Sequence, residues 1–189
     1  MMASEAKPSP EHVPATFTAT VQLQLNINSL YVVLSTQFQS NVWHWQLYLH
    51  IQETYGFVFH ITHDGLPRWE YYCYESRGII YSQRVMSAVK IADVTPELHG
   101  ALRQRIGSPK PAVKLEDSDF GHLDCQTWLL QVLYELDNEG HISVSPGYSV
   151  RDIEQEALAL ALNNRYLLRE KKAKLSELCK EMDSAFCIF

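Results

Sequence analysis

Three residues of this sequence, Cys125, His44 and His60, have the types and local patterns needed for nucleophilic catalysis by a thiol. Cys125 follows Asp124, a favourable N-cap residue, and precedes apolar residues at helical spacing, which predicts that it lies in the first turn of a helix. The helix dipole and the backbone N–H groups of a first turn favour a thiolate. An imidazole in reach would take the thiol proton, and a third polar group would orient that imidazole. We therefore assign Cys125 as nucleophile, His44 as base and His60 as the third member of a triad.

Each of the three residues also has an alternative interpretation. A cysteine in an apolar helix can be an inert core residue, and a histidine on a strand can serve packing alone. Zinc accepts two histidines and a cysteine as ligands, so a metal site formed by His44, His60 and Cys125 is a further alternative. The triad is the interpretation that we carry forward, with no metal and no other cofactor.

The two histidines are predicted to lie on neighbouring strands of a hairpin. Apolar and polar side chains alternate along residues 42–50, Gly56 marks a turn, and residues 57–62 return with His60. The alternation places two groups of side chains on opposite faces of the first strand: Trp43, Trp45, Leu47 and Leu49 on one, and His44, Gln46, Tyr48 and His50 on the other. We expect Trp45, Gln46 and Tyr48, which neighbour His44, to contact the substrate.

The remaining patterns predict an α+β fold. Further strands are expected at residues 21–27, 30–34, 69–74, 79–85, 89–92 and 142–144, and helices at residues 95–106 and 125–138. An apolar stripe from Val150 to Leu168, resuming as far as Met182, predicts one long amphipathic C-terminal helix. The predicted fold is a small, mostly antiparallel sheet packed by the cysteine-bearing helix. Residues 1–15 form a disordered leader, residues 16–147 the catalytic domain, and residues 148–189 a helical extension that packs on it.

Composition narrows the class of protein. The 189 residues are 46% hydrophobic and 20% charged, which is typical of a soluble globular protein. The net charge of −6 argues against nucleic-acid binding, and no apolar run is long enough for a membrane span. Four irregularly spaced cysteines do not form a disulfide framework, so we expect a reducing, cytoplasmic setting. A homodimer contact through the C-terminal helix is an alternative to packing of that helix on its own domain.

Three stretches carry a family resemblance: His44-Trp45-Gln46-Leu47-Tyr48-Leu49, then Gly56 with Val58-Phe59-His60-Ile61-Thr62, and Asp124-Cys125-Gln126-Thr127-Trp128. They resemble the lecithin:retinol acyltransferase-like family, a circularly permuted, NlpC-like branch of the papain-like cysteine enzymes. That resemblance implies a permuted papain-like fold in which Cys125 is acylated, His44 is the base and His60 completes the triad. The family has Asn before the cysteine and His two residues after it, where this chain has Asp124 and Thr127. The chain also resembles small uncharacterised fungal proteins with a His-Trp strand and a Cys-x-x-Trp helix.

Together these patterns predict a thiol-dependent hydrolase or acyltransferase. It would act on an amide, ester or thioester of a small-molecule or acyl substrate through an acyl-Cys125 thioester, with backbone N–H groups at the helix start holding the oxyanion. One alternative is a cysteine-dependent isomerase or cyclase on a small molecule. Another is a non-catalytic binding module on the same scaffold, with an aromatic pocket beside the histidine strand.

Overall fold

The computed structural model describes residues 22–37, 42–63, 65, 67–107 and 111–189. The predicted leader at residues 1–15, and the predicted start of the domain at residue 16, lie outside this part of the chain. The described residues form an α+β fold with a six-stranded mixed sheet and three α-helices. The predicted fold class is therefore confirmed at this level.

The sheet has the strand order β4-β3-β2-β1-β5-β6. All neighbouring strands are antiparallel except β6, which pairs in parallel with β5, so the sheet is mostly antiparallel as predicted. The strands are β1 (Ser29–Thr36), β2 (Trp43–Gln52), β3 (Tyr55–Thr62), β4 (Glu70–Ser76), β5 (Val85–Asp93) and β6 (Glu181–Asp183). The helices are α1 (His99–Ile106), α2 (Cys125–Asn138) and α3 (Val150–Arg169), with short 3₁₀ turns at Ile79–Tyr81, Pro96–Leu98 and Leu175–Glu177.

Helices α2 and α3 cover one face of the sheet. Trp43, Trp45, Leu47 and Leu49 of β2 lie in the large core between the sheet and these helices, together with Trp128 and neighbouring residues of α2. A smaller apolar cluster on the other face contains Tyr48 of β2, as the predicted alternation requires. The predicted hairpin is also confirmed, because β2 pairs with β3, but its turn is formed by Glu53 and Thr54, and Gly56, where the turn was predicted, lies within β3.

The predicted cap of α2 is present. The carboxylate of Asp124 accepts a hydrogen bond from the backbone N–H of Thr127 at 2.8 Å, and the Thr127 hydroxyl accepts one from the Asp124 N–H at 2.9 Å. This reciprocal pair satisfies two backbone donors that no carbonyl of the helix can reach. The cap fixes Cys125 as the first residue of α2.

Three of the predicted strands differ from the structure. Residues 22–27 form no strand; instead the backbone N–H of Leu23 donates to the carbonyl oxygen of Ile80, and the Leu23 side chain fills the smaller core. β1 already has β2 and β5 as its two neighbours, so residues 22–27 cannot pair with it. Ile79 and Ile80 lie in a 3₁₀ turn. Both side chains are buried in the smaller core, and two consecutive residues of a strand would point to opposite faces of the sheet. The predicted strand at residues 142–144 is reduced to a single bridge between Val144 and Cys187.

The predicted single C-terminal helix is also wrong in its extent. α3 ends at Arg169, and Lys171 has a φ of 54°, a left-handed conformation that interrupts a helix. The apolar residues beyond this point cover the sheet edge, where Met182 belongs to β6. The buried side of α3 packs against the sheet of its own chain, chiefly on β5. The predicted homodimer contact stays a prediction. None of the described helices is long and apolar enough to cross a membrane.

The hairpin depends on a close approach at Gly56. A Cβ atom there would lie 2.1 Å from the carbonyl oxygen of Leu49 and 2.8 Å from the Tyr48 ring. We expect Gly56→Ala to lower the free energy of unfolding in urea by about 1–3 kcal/mol or more, since the β2 backbone must move. Gly100→Ala is the control, because a Cβ at Gly100 meets open space, and Ala favours a helix by up to about 1 kcal/mol. Equal effects of the two substitutions would contradict this account of the hairpin.

Candidate active site

The Cys125 thiol lies against the backbone of β2. It is 8% exposed, and its sulfur lies 3.8 Å from the carbonyl oxygen of Trp43, to which the thiol donates. The backbone N–H groups of Trp45, Cys125 and Gln126 lower the pKa of the thiol. The contacts with Trp43 and Trp45 flank His44, so the capped start of α2 brings the thiol to the strand position that carries the histidine.

The two histidines are joined by a hydrogen bond. Nε2 of His44 lies 2.8 Å from Nδ1 of His60, and the rings are nearly perpendicular. One nitrogen of such a pair must donate and the other accept, so the protonation states of the two rings are coupled. His60 thus restricts the orientation of the His44 ring through Nε2.

Two tyrosines of β4 flank His60. Its ring centroid lies 5.7 Å from that of Tyr72 and 5.8 Å from that of Tyr74. These contacts restrict the orientation of the His60 ring and hence of the pair. Sequence analysis placed no function on either tyrosine, because only the pairing of β3 with β4 brings them beside His60.

His44 and Cys125 line one cleft, of about 610 Å³. Because Trp43 and Trp45 belong to the helix-packed core, alternation directs the His44 side chain to the opposite face of β2. The two residues still share the cleft because the thiol lies against the strand backbone at the end of the sheet, where β2 begins. The other lining residues come from four parts of the chain: Gln37, Val42, Trp43, Trp45, Ile61, Thr62, His63, Trp69, Asp124, Gln126, Leu158, Leu162 and Arg165.

Of the three residues that we expected to contact substrate, only Trp45 lines the cleft. Gln46 is 4% exposed and donates to the hydroxyl of Ser35 at 3.3 Å. Tyr48 is fully buried in the smaller core, with its hydroxyl 3.3 Å from Nδ1 of His50. Gln46 and Tyr48 are therefore buried within the sheet, away from the cleft.

α3 forms a wall of the cleft that sequence analysis did not foresee. Leu158, Leu162 and Arg165 lie along one side of the helix, and the Arg165 guanidinium lies 4.5 Å from the centroid of the Trp43 ring. One turn earlier, the buried carboxylate of Glu154 accepts a hydrogen bond from the Gln126 side chain. The only sequence signal was a glutamate within the apolar stripe of α3.

Burial raises the pKa of the Cys125 thiol, and the neighbouring Asp124 charge raises it further. The three backbone N–H groups at the sulfur oppose this rise without cancelling it. We expected the helix start to favour the thiolate; desolvation of a thiol that is 8% exposed outweighs that effect. At neutral pH the resting group is therefore the neutral thiol, which needs a base before it can act as a nucleophile.

The metal-site alternative lacks a suitable ligand set. Across the residues that the structure describes, no group of three or more His, Cys, Asp or Glu side chains could hold a metal ion. The facing nitrogens of His44 and His60 are occupied by each other at 2.8 Å. The arrangement fits a proton-exchanging pair better than two separate ligands.

Comparison with known proteins identifies a family but no activity. The sequence profile of a family of unknown function, DUF6540, matches residues 30–143. This stretch is more than half of the chain, so the protein belongs to that family. It includes His44, His60 and Cys125 and ends before α3. No curated protein and no solved structure gives a significant match.

The charge of Asp124 can be separated from its capping role. Asp124→Asn keeps a good N-cap but removes the negative charge, so we expect the pKa of Cys125 to fall. The pKa is measured from the pH dependence of Cys125 alkylation and of thiolate absorbance. Asp117→Asn, at an exposed position of the loop before α2, is the matched control. An unchanged pKa in Asp124→Asn would mean that the carboxylate charge is not felt at the sulfur.

Proposed function

We propose that this protein is a thiol-dependent hydrolase or acyltransferase with Cys125 as nucleophile, His44 as base and His60 as the residue that orients His44. The observation that carries the proposal is the position of the Cys125 sulfur. It lies 3.8 Å from the carbonyl oxygen of Trp43, the residue before His44, and His44 is hydrogen-bonded to His60 at 2.8 Å. These are the groups that a thiol triad needs, and the proposal requires the His44 ring to reach the thiol around the end of the sheet, because His44 and Cys125 lie on opposite faces of β2.

The reaction follows from these positions. His44 takes the proton of the thiol as the sulfur bonds to the carbonyl carbon of an amide, ester or thioester, and the carbonyl π electrons move to the oxygen. Backbone N–H groups at the start of α2 stabilise that oxyanion. When the carbonyl re-forms, the bond to the leaving group breaks, and His44 returns the proton to that group. Water or an acceptor then attacks the acyl-Cys125 thioester with the same proton exchange, which regenerates the thiol.

The raised pKa of Cys125 is consistent with this sequence of steps. A thiol that is neutral at rest is protected from non-specific alkylation and oxidation, because the thiolate is the reactive form. Proton transfer to His44 as the substrate reacts would limit activation to a bound substrate. The reaction of Cys125 therefore depends more strongly on a base than it would at a site where the thiolate is already present at rest.

The proposal extends to the fold family, the substrate class and the cellular location of the protein. A permuted papain-like fold is supported by the chain order of His44, His60 and Cys125 and by the start of α2 at the cysteine. The cleft of about 610 Å³, with tryptophans in its lining, suits a small-molecule or acyl substrate. A cytoplasmic location is supported by the four cysteines, none of which is in a disulfide.

A non-catalytic binding module is the second candidate. It is favoured by the aromatic lining of the cleft together with a buried thiol whose pKa is raised. In that case Cys125 packs against β2 as a small apolar residue, and the histidine pair only stabilises the sheet. The two candidates differ in whether the reactivity of Cys125 depends on His44.

The decisive experiment is intact mass spectrometry after incubation with a panel of nitrophenyl esters and thioesters. We expect acylation at Cys125 that is absent in Cys125→Ala. His44→Gln should slow acylation by roughly 100-fold or more, because general base catalysis contributes about 10²–10⁴. His60→Gln should fall between His44→Gln and the unmodified protein, because its amide can still hydrogen-bond His44.

Two controls accompany these variants. His141→Gln replaces a histidine that lies outside the cleft, and Cys179→Ala removes an exposed thiol that can react without activation. Neither should change the rate at Cys125. Acylation confined to Cys179 would support the binding module instead, and so would a rate of acylation at Cys125 that is unchanged in His44→Gln.

A further inference from the structure

We infer that Gln126, held by Glu154 of α3, selects acyl donors that carry an N–H next to the reacting carbonyl, so the preferred substrates are amides rather than oxygen esters. This inference rests on the proposed function, since it takes Cys125 as the nucleophile. Gln126 is the residue after Cys125 and lines the same cleft. Its role is that of a specificity residue, and Glu154 is a positioning residue.

The inference starts from a buried carboxylate with two partners. Glu154 is 3% exposed; Oε1 accepts from Nε2 of Gln126, and Oε2 accepts from Arg151 at 2.9 Å. Arg151 is itself anchored, because it donates to the carbonyl oxygen of Phe120 at 3.4 Å and lies 5.0 Å from the centroid of the Phe120 ring. A buried carboxylate is tolerated when its charge is balanced and its oxygens are hydrogen-bonded, and both conditions are met here.

The Glu154 carboxylate determines which end of the Gln126 amide faces the cleft. An ionised carboxylate only accepts hydrogen bonds, so the amide must turn its NH₂ group toward Glu154. Its carbonyl oxygen, Oε1, then points away from Glu154. No donor among the described residues hydrogen-bonds Oε1 of Gln126. The side chain therefore keeps an acceptor in a fixed orientation at the cleft that Cys125 also lines.

A fixed acceptor discriminates between classes of acyl donor. An amide or peptide brings an N–H beside its carbonyl and can satisfy Oε1, whereas an ester brings an oxygen that cannot donate. A site built to hydrogen-bond a substrate N–H disfavours an analogue without it, because its own polar group loses a partner. Leu158, one turn after Glu154, lines the same cleft. Gln126 lies within the family-matched stretch, whereas Glu154, which orients it, belongs to α3 beyond that stretch.

The test uses two probes that differ by one N–H: N-benzyl chloroacetamide and its N-methyl derivative. In both, the Cys125 sulfur bonds to the methylene carbon, the carbon–chlorine bond breaks, chloride leaves, and the thiol proton passes to His44. Rates at Cys125 are taken from intact mass and divided by the rates with free glutathione. After this correction we expect the unmodified protein to prefer the N–H probe by about 3- to 10-fold, the range of one neutral hydrogen bond.

Variants separate selectivity from reactivity. Gln126→Met should remove the preference that remains after the glutathione correction. Glu154→Gln should weaken that preference, because a neutral amide no longer fixes the orientation of Gln126. Gln155→Met changes an exposed residue of α3, the helix that carries Glu154, and should keep the preference for the N–H probe. Methyl methanethiosulfonate, which has no N–H, reports the reactivity of the Cys125 thiol in every variant. Circular dichroism checks that each variant is folded.

The outcomes distinguish this inference from the proposed function. If Gln126→Met keeps the preference of the unmodified protein, or if the unmodified protein shows none, the inference is overturned while a His44-dependent reaction of Cys125 still supports the triad. If Cys125 reacts with none of the three reagents, or reacts equally in His44→Gln, the proposed function fails and the inference fails with it. Loss of the preference in Gln126→Met and its partial loss in Glu154→Gln establish the selectivity.

Discussion

The capped start of α2 against the backbone of β2 is the contact on which the site depends. Asp124 and Thr127 satisfy each other's backbone N–H groups, so the helix begins at Cys125 and cannot slide along the chain without losing both bonds. Because the buried residues of α2 pack on the sheet, the first residue of the helix meets the strand at Trp43 and Trp45. The position of the thiol is therefore set by capping and core packing together, and both are properties of the scaffold rather than of a mobile loop.

Two hydrogen-bonded networks reach the cleft that contains this thiol, one through His44 and the other through Gln126. One consists of His44 and His60, flanked by the tyrosines of β4. The other joins Gln126, Glu154 and Arg151 and belongs partly to α3. A buried polar network stabilises one arrangement only when each of its members finds a partner, and in both networks the central groups do. The histidine pair and Gln126 lie within the family-matched stretch, whereas Glu154 and Arg151 lie beyond it.

Electrostatics at the site favour the neutral thiol over the thiolate. Desolvation and the Asp124 charge raise the pKa of Cys125, and three backbone N–H groups oppose them. These same N–H groups could also stabilise an oxyanion. The oxyanion forms on the carbon that is bonded to the sulfur, so donors close to the sulfur are also close to the oxyanion. A site of this kind stabilises charge that develops during reaction rather than charge present at rest.

The sequence by itself determined the local features of this protein, and the tertiary structure decided which of them meet. Alternation along β2 and the cap at Asp124 predicted the hairpin strand and the start of α2, because each depends on residues a few positions apart. The strand predicted at residues 21–27 and the extent of the C-terminal helix were wrong, because pairing partners and sheet edges are not encoded locally. The triad residues could be nominated from type and motif, whereas the Gln126–Glu154 contact joins residues of two different helices. Only packing of α3 beside α2 brings that carboxylate to Gln126, and neither periodicity nor capping carries information about such a contact.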